Sequence, residues 1–210
     1  MAASPRGQVV LFRHGETDWS RAGLHTGRTD IGLNDAGRRQ AMALRERLAG
    51  LRFARVLTSP LSRATETCEL AGLADQAETL DDLQEWDYGA YEGLTSRQVR
   101  AGRPHWSLWA DGVPEGETLA EVSARADRVT ALVRGAGAAP AGDVAMFAHG
   151  HLLRVLAARW LGLDPTAGRY LSLYAGSLST LGWEHAQPVV VTWNDVAHLI
   201  PGRSGFRPPG

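Results

Sequence analysis

Val9-Val10-Leu11-Phe12-Arg13-His14-Gly15-Glu16-Thr17 runs apolar for four residues and then breaks into arginine, histidine and glycine. A short continuous apolar run of this kind suits a central strand buried on both faces. A cation and an imidazole side by side at its end suit a pocket better than a packed core. Two other short apolar runs end the same way. Arg55 to Thr58 leads into Ser59-Pro60 with Arg63 close behind, and Asp143 to Ala148 leads into His149-Gly150-His151.

Helical signals lie between these runs. Asn34 can cap a helix that runs to about Gly50, and Pro60 is suited to the first turn of a helix reaching Leu70. Thr118-x-x-Glu121 is a capping box for a helix to about Arg134, and Leu152 to Leu161 is an apolar helix ending near Gly162. Two further strands are expected near 178–184 and 188–193. The segment from Arg13 to Leu33 reads as irregular, and 78–116 as a long region of few signals, of which 86–116 forms a loop or lid. The stretch 135–142 reads as a turn.

Strands alternating with helices predict an α/β protein, a three-layer α/β/α sandwich with a mostly parallel sheet. At 210 residues the chain is expected to be one domain, 1–210, with flexible tails at 1–7 and 203–210. Sheets of this type bind ligands beyond the carboxyl ends of their strands, where Arg13-His14, Ser59 to Arg63 and His149-Gly150 all fall.

Composition narrows the chemistry. With 22 Lys+Arg against 23 Asp+Glu the net charge is −1, so no global basic field argues for nucleic acid or an anionic membrane. The chain contains no lysine, which excludes a Walker A loop, a pyridoxal Schiff base and a kinase-type lysine. The single cysteine, Cys68, forbids an intramolecular disulfide and a cysteine zinc cluster, and reads as a small core residue. No signal-peptide pattern or membrane-length apolar run is present, so the protein is expected to be cytoplasmic. Self-association is left open.

A phosphomonoester dianion carries about −1.5 to −2 charges near neutral pH and is well served by forked arginine donors. Arg13 and Arg63 are the candidates for that role. A neutral imidazole is a competent nucleophile, and neighbouring arginines favour the neutral form, which points to His14. His149 opens a helix whose N–H groups favour an anion. A carboxyl group is still needed to protonate the leaving alkoxide. Glu85 is the best placed, with Trp86 expected to desolvate it; Asp82, Asp87 and Glu92 are the alternatives.

The ordered phrases Arg13-His14-Gly15-Glu16-Thr17, Thr26-Gly27, Ser59-Pro60-x-x-Arg63-Ala64, Glu85-x-x-x-Gly89-x-Tyr91-Glu92-Gly93 and His149-Gly150 resemble the histidine phosphatase superfamily, in its phosphoglycerate-mutase-like branch. The likeness covers about residues 9 to 194. It implies the phosphoglycerate-mutase-like fold and hydrolysis of small phosphomonoesters with release of inorganic phosphate, with sugar phosphates favoured. It implies that His14 is transiently phosphorylated, that Arg13, Arg63 and His149 hold the phosphoryl oxygens, and that Glu85 donates a proton and then activates water. Thr26, Gly27, Tyr88 and Gly150 match positions around the substrate. No metal or cofactor is implied.

The stretches 85–93, 109–112 and 148–151 are similar to those of mycobacterial acid phosphatases and fungal sedoheptulose-1,7-bisphosphatase. Two readings compete with a phosphatase. A cofactor-dependent phosphoglycerate mutase would carry asparagine where Ser20 stands, and a longer, lysine-bearing insert after the glutamate loop. A regulatory or binding module would keep the fold without turnover. His151 divides between a contact on the pocket rim and a plain helix N-terminal residue. Ser20 and Arg21 stand at the entrance or in an ordinary loop. His25, His105, His185 and His198 are expected to be exposed or satisfied, Tyr91-Glu92-Gly93 structural, and Trp106 and Trp109 either packing residues or part of a lid.

Overall fold

The computed structural model describes residues 7–135 and 142–200. Its centre is β1 (Val9–Arg13), whose first four residues are buried. The other strands are β2 (Arg55–Thr58), β3 (Ala77–Thr79), β4 (Val144–Ala148), β5 (Leu178–Glu184) and β6 (Gln187–Asp195), and the sheet order is β3-β2-β4-β1-β5-β6. The first four strands of that order pair in parallel. β5 joins β1 antiparallel and returns through a two-residue turn into β6. The sheet is therefore mostly parallel with an antiparallel hairpin on one edge.

Among the described residues the α-helices are α1 (Asp18–Ala22), α2 (Asp35–Leu48), α3 (Ser62–Leu70), α4 (Ser96–Gly102), α5 (Leu108–Asp111), α6 (Leu119–Arg134) and α7 (Gly150–Trp160), with short 3-10 turns between elements. Side chains of β1 alternate between the two faces, as the period of a strand requires. Val9 and Leu11 join α6 and α7 in the larger core. Val10 and Phe12 join Leu44 and Leu48 of α2 and Cys68 of α3 in the smaller one. Phe12 stacks on Phe147 of β4 at 4.5 Å between ring centroids. Cys68 is buried, and burial pushes its thiol up to about 12.

The register of the central pair positions the site. Arg13 stands opposite Ala148, and His14 N–H still reaches the Ala148 carbonyl at 3.0 Å. Ser59 N–H reaches the Phe147 carbonyl at 2.9 Å. The residues following β1, β2 and β4 thus emerge together at one end of the sheet.

Several expectations are corrected. Pro60 precedes α3 and is not in its first turn, because Leu61 is the N-cap. The polar segment after β1 contains α1, closed by a reciprocal capping box between Thr17 and Ser20. The long region 78–116 holds the end of β3, α4, α5 and two short 3-10 turns, so it is largely structured. α7 starts at Gly150, two residues early, with His149 as its N-cap. The expected tails and most of the 135–142 turn lie outside the described residues, which end at Gly7, Gly135, Gly142 and Ile200. Among the described residues no helix is long and apolar enough to cross a membrane.

Replacing Phe147 with alanine removes a fully buried ring from between the central strands and should cost about 3–5 kcal/mol. Thr118→Ala removes only the cap of α6 and should cost about 1 kcal/mol. Urea unfolding of both variants checks the order.

Candidate active site

His14 and Arg13 line a cavity of about 220 Å³ at the carboxyl end of β1. The His14 ring is buried, and its Nδ1 lies 2.7 Å from the carbonyl of Gly15. A carbonyl only accepts, so Nδ1 carries the hydrogen and the Nε2 lone pair is uncommitted. Burial holds the ring well below the usual histidine pKa, and the guanidiniums of Arg63 and Arg13 lower it further. Arg13 donates through Nη1 to the Leu173 carbonyl. Its Nε is buried without a hydrogen-bond partner among the described residues. A Cβ on Gly150 would stand 3.3 Å from the Arg13 guanidinium carbon, so the absence of a side chain there lets the cation cross the start of α7.

His149 and Arg63 stand directly behind His14 and are fully buried. The two histidine rings are 5.2 Å apart between centroids. Arg63 Nε donates to His149 Nδ1 at 3.2 Å. A guanidinium cannot accept, so His149 carries its hydrogen on Nε2, which lies 2.7 Å from Ser59 Oγ. The remaining donations of Arg63 go to the carbonyls of Thr29, Thr26 and Gly27. Burial, then Arg63 and His14, hold His149 well below the usual histidine range.

Glu85 is the acid of the cavity wall. Its carboxylate accepts the N–H groups of Leu152 (2.9 Å) and Trp86 (3.0 Å) at Oε1, and that of His151 (3.0 Å) at Oε2. Of the α7 N–H groups that were expected to favour an incoming anion, those of His151 and Leu152 are therefore turned onto this side chain. Trp86 gives the carboxylate its backbone N–H, while its indole donates to the Glu117 carbonyl and packs edge-on against Trp109. The rival acids are engaged elsewhere. Asp82 pairs with Arg128, Asp87 accepts the Gly89 N–H, and Glu92 accepts from Arg28 and Tyr88.

Tyr88 Oη and His151 Nδ1, both from residues of the cavity wall, are 2.6 Å apart. Burial, and then the Glu85 charge, raise the Tyr88 phenol well above its usual value, so it stays protonated and donates to His151. Burial and Arg154 depress His151 in turn. The open alternatives for His151 and Ser20 resolve onto the wall, although the Ser20 hydroxyl is spent on the cap of α1.

Thr26 and Gly150 also line the cavity. Gly27 does not: a Cβ there would come within 2.4 Å of the Trp86 carbonyl, so its role is close approach of the two loops. Trp106 and Trp109 do not form a lid. Trp106 is buried against His25 and Tyr91, and Trp109 packs on Trp86 and His151.

Three polar wall residues were not assigned to the site from the sequence: His25, Ser96 and Arg154. His25 is not exposed: it is buried and stacked on Tyr88 at 4.9 Å, with its Nε2 3.2 Å from Ser96 Oγ. Arg154 lies one helical turn after Gly150, and that spacing was the available signal. A second, more open cavity of about 480 Å³ adjoins across Arg13 and Ser20, bounded by Arg21, Gln40, Tyr174 and Leu199 among others.

Residues 9–196 match the profile of the histidine phosphatase superfamily (branch 1). The chain belongs to that superfamily. It is 40% identical over 200 residues to an acid phosphatase of Mycobacterium tuberculosis, covering 94% of this chain and 97% of the relative. It is 34% identical over 184 residues to the sedoheptulose 1,7-bisphosphatase of Saccharomyces cerevisiae, covering 74% and 68%. The solved structure of a Mycobacterium tuberculosis open reading frame superposes with a TM-score of 0.83 at 37% identity, covering 90% of this chain and 97% of that one. The superfamily membership and that superposition agree with the layered α/β fold described above.

The depressed rings of His14, His149 and His151 have a measurable consequence. Below about pH 6.5 the unfolded chain binds protons that the folded one refuses. Stability is therefore intact above that pH and falls beneath it, by up to about 1.4 kcal/mol per pH unit for each ring. Denaturant unfolding at pH 7.5, 6.5 and 5.5 should show this slope.

Proposed function

We propose that this phosphatase hydrolyses small phosphomonoesters, sugar and other metabolite phosphates among them, through a phosphohistidine on His14. The observation that carries the reading is the Gly15 carbonyl on His14 Nδ1, which leaves the Nε2 lone pair free in a cavity beside a cation. In the first step Nε2 bonds to phosphorus, the bond from phosphorus to the ester oxygen breaks, and Glu85 delivers its proton to the departing alkoxide. In the second step Glu85 takes a proton from water, the hydroxide bonds to phosphorus, and the N–P bond breaks. Inorganic phosphate leaves and His14 is neutral again.

Arg13 meets the phosphoryl oxygens from the cavity wall. Arg63 adds its charge and its unspent N–H from behind, and His149 offers the Nε2–H that rests on Ser59 in the unliganded protein. Each cation at about 4 Å supplies on the order of 4 kcal/mol at an effective dielectric near 20, before desolvation. Glu85 Oε2 accepts one backbone N–H against two at Oε1, so it is the oxygen with capacity for a proton in transit. We further propose that residues 1–210 form one domain and that the ester's alcohol extends into the larger adjoining cavity.

His14→Ala should lower turnover of p-nitrophenyl phosphate by at least about 10³, roughly 4 kcal/mol of barrier, and abolish an acid-labile phosphoenzyme in rapid-quench labelling. An unchanged rate discards the nucleophile. Glu85→Gln should lower the rate on alkyl phosphates at least about tenfold more than on nitrophenyl phosphate, because alkoxides need the proton. Phosphoryl transfer between positions of phosphoglycerate without phosphate release would support the mutase reading in its place.

A further inference from the structure

The loop 171–177 meets Arg13 and His14 at three points. The Leu173 carbonyl accepts Arg13 Nη1. The Ser177 carbonyl accepts the Arg13 N–H at 3.1 Å, and the Gly176 N–H donates to the His14 carbonyl at 2.9 Å. Any shift of this loop therefore moves a phosphate-binding cation and the proposed nucleophile with it. Residues 171–177 belong to no helix or strand, so the loop takes its hold from other parts of the chain.

The end of β6 and the turn after it supply that hold, at alternate positions of the loop. Trp193 Nε1 donates to the Ser172 carbonyl at 2.6 Å, Asn194 Oδ1 accepts the Tyr174 N–H at 2.7 Å, and His198 Nε2 lies 2.9 Å from the Gly176 carbonyl. A carbonyl only accepts, so His198 carries its hydrogen on Nε2. Asn194 reaches the loop because β6 is bulged. Leu178 pairs with Asp195 and Thr180 with Thr192, so Ser179 of β5 faces both Trp193 and Asn194. Asn194 has a φ of 56°, a left-handed backbone uncommon outside glycine, and its N–H donates to Ser179 Oγ at 2.9 Å. Bulges re-aim side chains, and non-glycine residues held in this region cluster at functional sites. Behind the bulge, Asp195 accepts the Ala197 N–H at 2.8 Å and pairs with Arg47 of α2. That fixes the turn Ala197–Leu199 on which His198 stands.

We infer that Asn194 and His198 are positioning residues: they clamp the loop 171–177 where it orients Arg13 and His14, and they act on the reaction only through it. The inference rests on the phosphatase reading and adds residues to its machinery. Neither side chain lines the cavity of His14 or the one adjoining it. Trp193 also packs against the larger core, so Asn194 and His198 are the members of the clamp that can be altered without emptying it. A misplacement of about 1 Å in a group that orients substrate can cost on the order of 10²-fold in rate, even when its cause lies far from the chemistry.

Two matched pairs of variants test this on p-nitrophenyl phosphate. Asn194→Gly keeps the left-handed backbone and deletes the acceptor, whereas Asn194→Asp keeps an acceptor. His198→Ala deletes the donor, whereas His198→Gln keeps one, and this pair serves should Asn194→Gly fail to fold. The deleting variants should lose at least about tenfold in kcat and be inhibited more weakly by inorganic phosphate, and the retaining variants should recover most of both losses. Thr118→Ala, which removes a remote helix cap, controls for lost stability and should keep the wild-type kcat. Wild-type kcat in both deleting variants, equal losses within each pair, or a loss of the same size in Thr118→Ala overturns the inference while the wild type remains a phosphatase. A wild type that releases phosphate from no ester, nitrophenyl phosphate included, removes the phosphatase reading and this inference together.

Discussion

Arg13 and Ala148 are the last paired residues of two neighbouring parallel strands, and the residue after each is a histidine. Parallel pairing delivers both chain ends to the same edge of the sheet, so the rings of His14 and His149 come within 5.2 Å between centroids although 135 residues of chain separate them. Any slip of that register by one residue would send alternate side chains to the opposite face. It would also separate the histidines from the core that buries them. The apolar run of β1 is thus a packing feature and a positioning device at once, and Phe12 on Phe147 is the contact that locks the register from beneath.

The site balances its buried cations with dipoles. Arg13, Arg63 and Arg154 give N–H groups to the carbonyls of Leu173, of Thr26, Gly27 and Thr29, and of Gly168 and Arg169. Carboxylate partners would neutralise these charges, whereas carbonyl oxygens orient them and leave their charge available to a ligand. Such pre-oriented donors in a water-poor cavity need little reorganisation when a charge develops opposite them. The one carboxylate on the wall is held by three backbone N–H groups rather than by an arginine, so acid and cations are kept apart by the same main-chain scaffold.

Much of this was legible in order along the chain. Apolar runs ending in polar residues located β1, β2 and β4, and Thr118-x-x-Glu121 opened α6 where the structure begins it. Local rules failed where distant partners decide. Nothing near residue 85 signals that Glu85 closes the N-terminus of α7, because the two α7 N–H groups it accepts lie more than sixty residues away. Arg154 escaped notice for the same reason: the loop carbonyls and the indole that fix it, and the cavity it lines, are assembled only in the folded chain. The missing N–H of Pro60 suits the first turn of a helix, but Leu61 is the N-cap and α3 begins at Ser62.

Cys68 gives the protein a property unrelated to its pocket. The chain's lone sulfhydryl sits buried in the smaller core with its thiol held protonated. Oxidants and alkylating reagents act on exposed thiolates, and enzymes that attack phosphorus with sulfur are silenced by them. With the nucleophile proposed above, an imidazole nitrogen, and the only sulfhydryl buried, the molecule is expected to keep working through peroxide stress that halts such enzymes.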